Sequence, residues 1–191
     1  MSPRHHWIIA LSLFFLLAAT RASHWGSEWL LPDASLAVFL FGGLTLGTAG
    51  WFAGLFLLAA GFDILAARTA LEVGWCLTPA YWGLLPTYGV LWLAGRWLAR
   101  TPELPASRYA GVGLVAVTLA FAISNLTFWA FSGHFGGMDL LAYAREVAFY
   151  FPSYAGGAAL YLALGWLVWR LLTARESPIA AANKLNLIEL N

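Results

Sequence analysis

The sequence predicts an all-α integral membrane protein, a six-helix transmembrane bundle with both termini cytoplasmic. Three observations predict it. Hydrophobic residues make up 61% of the chain and charged residues only 10%, against roughly 25% charged in a soluble domain. That is too little charge to solvate an ordinary surface, so lipid must be the main solvent. The apolar residues form long runs, and a bilayer core of roughly 30 Å takes about 20 helical residues to cross. Finally, arginine and lysine concentrate in alternate connections.

The elements follow in order. Arg4 precedes an apolar run from Trp7, and Trp7–Thr20 reads as the first helix. The following "TRAS" resembles the end of a secretory signal, with a cleavage site at Ala22. The alternative, a retained first helix, is preferred, because Arg21 sits in the would-be cleavage region and the topology works better with the helix kept. The stretch Ala34–Phe62 is apolar for 29 residues and would span about 43 Å as one helix, too long for an untilted pass. Gly42, Gly43, Gly47 and Gly50 interrupt it, so it reads as two helices, Asp33–Leu46 and Gly50–Arg68, joined by a turn near Gly47 and Thr48. Gly83–Trp97, Tyr109–Phe131 and Tyr154–Leu172 complete the six. Residues 1–173 then form a single membrane domain and 174–191 a cytoplasmic tail.

With six helices and the N-terminus inside, seven basic residues face the cytoplasm: Arg4, Arg96, Arg100, Arg108, Arg170, Arg175 and Lys184. Three, Arg21, Arg68 and Arg145, face outward. This obeys the positive-inside tendency, which a five-helix topology would lose.

Composition also excludes functions. Ten Lys and Arg against nine Asp and Glu leave no basic footprint for nucleic acid. A lone cysteine, Cys76, forms no intramolecular disulfide, and no His/Cys spacing fits a structural zinc site. No nucleophile elbow, paired-histidine motif or phosphate loop appears, so the reading is of a non-enzyme without cofactor or metal.

Polar and aromatic residues gather on the predicted outer side: His24, Trp25, Glu28, Trp29 and Asp33, then Asp63 to Trp82, then Ser124 to Tyr154. Two readings stand, an outward pocket and an interfacial aromatic belt. Asp63, in "LLAAGFDILAAR", is a carboxylate within an apolar helix; such groups face a polar interior with a partner, and it reads either as a ligand or ion contact or as a structural hydrogen bond to a neighbouring helix or a snorkelling interface residue. Arg68, five residues on, is poorly spaced to be that partner. Asp33 follows Pro32 in an N-cap pattern. Asn125 shares a helical face with Phe128, Trp129 and Ser132, as interhelical glue or as a pocket floor. His134 lies past that helix in "SGHFGG", either solvated or able to bond a ligand. The candidate substrate-binding set is Asp63, Trp75, Tyr81, Asn125, Trp129 and His134. Gly43/Gly47, Gly50/Gly54 and Ala155/Ala159/Ala163 supply small faces for close helix approach.

Six short helices with a short second one, and the stretches "LPDASLAVFLFGG", "GFDILAA", "WCLTPAYWGLLPTYGVLWLAGRW" and "SNLTFWAFSG", resemble substrate-binding S components of energy-coupling-factor transporters. Within these, the chain is most similar to small bacterial membrane proteins named as cobalamin transporter components. The resemblance covers Asp33 to Trp169. It implies an inner-membrane subunit that binds a vitamin-like molecule such as cobalamin or a precursor on its outer side. It also implies docking on a transmembrane coupling subunit driven by ATPase subunits. Many S components dock through an Ala-xxx-Ala face on the first helix, whereas Ala10 here is followed four residues later by Phe14. The alternative function is a non-transporting membrane scaffold or assembly factor.

Overall fold

A computed structural model describes residues 3–22, 32–69 and 77–189. Among these are seven α-helices and no strand. They are α1 (Pro3–Ala22), α2 (Ser35–Thr45), α3 (Ala49–Thr69), α4 (Leu84–Leu98), α5 (Ala106–Phe131), α6 (Leu140–Ala148) and α7 (Phe151–Glu189), with a 3-10 turn, Pro79–Gly83, leading into α4. Three stretches are long and apolar enough to cross a membrane: Ala49–Arg68, Ala106–Phe131 and Phe151–Leu171. His6–Arg21 and Ser35–Thr45 are shorter apolar helices. Large apolar side chains such as Leu57, Leu114, Leu164 and Leu167 are exposed on the outside, the surface of a protein solvated by lipid.

The apolar stretch from Ala34 to Phe62 is divided as its glycines suggest. Gly47 takes φ +68° between α2 and α3, a left-handed conformation that glycine adopts without steric cost. α2 is the centre of the molecule: every residue from Ser35 to Thr45 is buried, against α1, α3, α4 and α7. Its most extensive partner is α4, and the two backbones touch. A Cβ at Gly43 would collide with the Trp92 carbonyl, and one at Gly95 with the Leu40 carbonyl, as well as lying 2.7 Å from the Leu44 amide nitrogen. Phe39 of α2 stacks on Tyr88 of α4 at 4.2 Å, with Phe52 of α3 set edge-on at 5.5 Å. Gly54 meets Phe14 of α1, so α1 is packed against α3 through the residue that breaks the Ala-xxx-Ala pattern.

Three elements differ from the sequence expectation. α6 is an extra helix within a stretch read as outer loop. Asp139 starts it by accepting from the Leu141 and Ala142 amides at 2.9 and 3.1 Å, an N-cap that satisfies otherwise orphaned donors. α7 does not stop at Leu172; its helical backbone continues to Glu189. The apolar run ends where charges begin, but the sequence beyond stays rich in alanine and other helix formers. α2 begins at Ser35 with Ala34 as N-cap and no side-chain cap, so Asp33 stands one residue further out than an N-cap.

Candidate functional site

The C-terminal ends of α1, α3 and α5 meet the N-terminal ends of α2, α4 and α7 around one cavity of about 640 Å³. Arg21 on the last turn of α1 anchors it, at only 8% exposure. Nη1 donates to both carboxylate oxygens of Asp63 on α3, and Nη2 donates to the Tyr88 hydroxyl on α4. Nε donates to Ser35 Oγ on α2 at 3.1 Å. Four helices are thus tied to one guanidinium, whose planar fork of donors suits it to the task. Tyr81 of the 3-10 turn adds a hydrogen bond to Asp63 Oδ2 at 2.8 Å. The turn is itself capped by Thr78, whose hydroxyl accepts from the Ala80 amide.

Asp33 completes the charged group. Its Oδ1 accepts from the Ser35 amide at 2.9 Å and from the Ser35 hydroxyl at 2.6 Å. Its Oδ2 lies 3.9 Å from Arg21 Nη2. One carboxylate oxygen therefore organises the start of α2 while the other lies toward Arg21, with Asp33 part of the cavity lining. The opposite wall is Leu84 and Thr87 of α4, Ser124, Asn125, Thr127 and Phe128 of α5, and Ser153, Tyr154 and Gly157 of α7. An apolar and aromatic lining with a few fixed polar groups is the usual make-up of a small-molecule pocket. Among the described residues, every buried side-chain nitrogen and oxygen has a hydrogen-bond partner.

Of the residues expected from sequence, Asp63, Tyr81 and Asn125 line this cavity together. Asn125 has two internal ties. Nδ2 donates to the Phe121 carbonyl at 2.8 Å, and Oδ1 accepts from the Tyr143 hydroxyl of α6 at 3.2 Å. Burial raises the Tyr143 pKa. Trp129 and His134 lie outside the lining. Trp129 Nε1 donates to the Met138 carbonyl at 3.0 Å, and exposed His134 packs near the rings of Phe128 and Phe135. Both hold the segment that leads into α6, whose turns use positive φ at Gly133 and Gly137. Trp75 lies outside the described residues, as do His24, Trp25, Glu28, Trp29, Glu72 and Cys76.

Arg21, Asp33, Tyr88 and Tyr154 were not in the expected set. Arg21 stands 42 residues from Asp63, beyond any local spacing rule. The available signal was a second charged residue at the end of an apolar helix on the same side as Asp63. Arg68, the cation weighed against Asp63 in the sequence, is exposed.

A second cavity, about 300 Å³, lies between α5 and α7, with Ala155, Ala159 and Ala163 along one wall. The small face on α7 therefore leaves space rather than closing on a neighbour. No group of His, Cys, Asp and Glu suited to hold a metal ion occurs among the described residues. No protein-family model matches the chain, and no curated protein matches it.

Proposed function

We propose that this protein is the substrate-binding membrane subunit of an uptake system for a vitamin-like small molecule, with cobalamin or a precursor as the first candidate. It sits in a bacterial inner membrane as six spans with both termini cytoplasmic, and α6, too short to span, belongs to the outer end. The observation that carries this reading is the cavity walled by six helix ends, with an ion-paired floor and aromatic sides. Asp63 ties helices together and Asp33 organises the start of α2, yet keeping both carboxylates beside such a space is costly, which favours a site that also uses them. The resemblance to energy-coupling-factor S components supplies the transport context. This chain carries no phosphate-binding loop, so it either works with a transmembrane coupling subunit and ATPase subunits, as the resemblance implies, or acts alone. The first-helix face used by many S components is occupied here by Phe14 against Trp51 and Gly54, so docking uses another surface.

The test is ligand identification by native mass spectrometry on gently solubilised protein, combined with uptake by cells carrying Asn125→Ala. Co-purification of a corrinoid or other vitamin, with uptake reduced by the variant, supports the reading. An empty protein with unaltered uptake sinks it and leaves the membrane scaffold as the better account.

A further inference from the structure

We propose that Asp33 sets the charge selectivity of the cavity, so that the site takes a ligand presenting N–H donors to Asp33, such as amides or ammonium groups, and rejects the analogue that presents a carboxylate there. This rests on the cavity being a small-molecule site and names the chemistry it selects. Among the described residues, the lining holds one cation, Arg21, and two carboxylates, Asp33 and Asp63. Arg21 is committed. Its donors reach both oxygens of Asp63, the Tyr88 hydroxyl and Ser35 Oγ, so little of it is left to greet an anion. Asp63 is correspondingly matched by Arg21 and Tyr81. The negative charge in excess therefore resides on Asp33. Among the described residues its Oδ2 has only the 3.9 Å approach of Arg21, and its side chain is 38% exposed.

Neighbouring sequence does not reverse this balance. Residues 23–31 and 70–76, which adjoin the lining in the chain, contain Glu28, Glu72 and one histidine, His24, and no lysine or arginine. Arg68 and Arg145 are exposed and outside the lining. A carboxylate with an open acceptor in a cavity flanked by lipid is stabilised by a donor or cation and destabilised by a second anion. Discrimination by such repulsion is specificity against the wrong partner as much as affinity for the right one.

Cobalamin serves as the probe. Its corrin rim carries neutral amide side chains, and mild hydrolysis gives separable isomers with one amide turned into a carboxylate. Binding of each to purified full-length protein is measured by calorimetry. At least one isomer, the one that presents its carboxylate to Asp33, binds about tenfold or more weaker than the parent. Asp33→Asn keeps the acceptor for Ser35 and narrows that gap to about threefold or less, mainly by improving the isomer. Asp33→Glu retains the gap. If every isomer binds wild-type protein as well as the parent does, the proposal is overturned, and that comparison needs no variant. A gap unchanged in a folded Asp33→Asn protein overturns it equally. If wild-type protein binds neither parent nor isomers, the corrinoid reading of the cavity falls and the charge selectivity read on it falls with it.

Discussion

At the scale of single residues, the Arg21–Asp63 pair decides whether the cavity end holds its shape. A buried pair is weak evidence of net stability, because two charges must first be desolvated, yet removing one partner strands the other at a cost of about 3–5 kcal/mol. Asp63→Asn should therefore lower the melting temperature in detergent steeply. A joint Arg21→Met and Asp63→Leu replacement should recover most of the loss, since well-packed apolar side chains can replace a buried ion pair at little cost. A joint variant melting as low as Asp63→Asn would show that the hydrogen bonds to Tyr88, Ser35 and Tyr81 hold the site, rather than the charge balance. Asp63 was legible as a polar residue out of place in an apolar run. Arg21 was not legible as its partner, because the pairing is made by helices packing side by side, and no spacing along one helix encodes it.

At the scale of elements, glycine reports where backbones meet. Gly43 and Gly95 each face a carbonyl of the opposite helix, so Gly95→Ala should push α2 from α4 and cost about 1–3 kcal/mol or more. Gly89→Ala, on the same helix with nothing within 4 Å of its added Cβ, should be tolerated. Equal melting temperatures for the two variants would rule out the α2–α4 contact. α6 allows a second separation. Tyr143→Phe removes the hydroxyl that reaches Asn125 without touching the cavity, and a neutral hydrogen bond contributes about 1 kcal/mol. Residues 140–148 should then exchange amide hydrogens faster while ligand affinity holds, whereas Asn125→Ala should change both. Loss of affinity in Tyr143→Phe would make α6 part of the binding machinery. α6 went unread because hydropathy finds membrane spans and α6 is too short to be one. Its signals were Asp139 as N-cap and the i, i+3, i+4, i+7 pattern of Leu140, Tyr143, Ala144 and Val147. The same confusion of apolar length with helix length ended α7 too early at Leu172.

At the scale of the whole molecule, the two ends carry different charge. Arg96, Arg100, Arg108 and Arg170 lie toward the end away from the cavity, with Glu103 the carboxylate among them. The cavity end mixes Arg21, Asp33, Asp63, Arg68, Asp139, Arg145 and Glu146. That asymmetry was readable from the order of apolar runs and charges alone, because the positive-inside bias acts on loops whatever the helices do when they pack. Which residues converge on the cavity was readable only in part, since convergence depends on how α2 sinks into the centre between four neighbours. The orientation has a direct test. In a Cys76→Ser background, Glu146→Cys on α6 and Glu103→Cys on the α4–α5 connection both occupy exposed positions. A membrane-impermeant maleimide applied to intact spheroplasts should label the first and spare the second, and lysis should make both reactive. Labelling of Glu103→Cys alone in intact cells would turn the cavity toward the cytoplasm, and an uptake subunit could not then capture its ligand from outside.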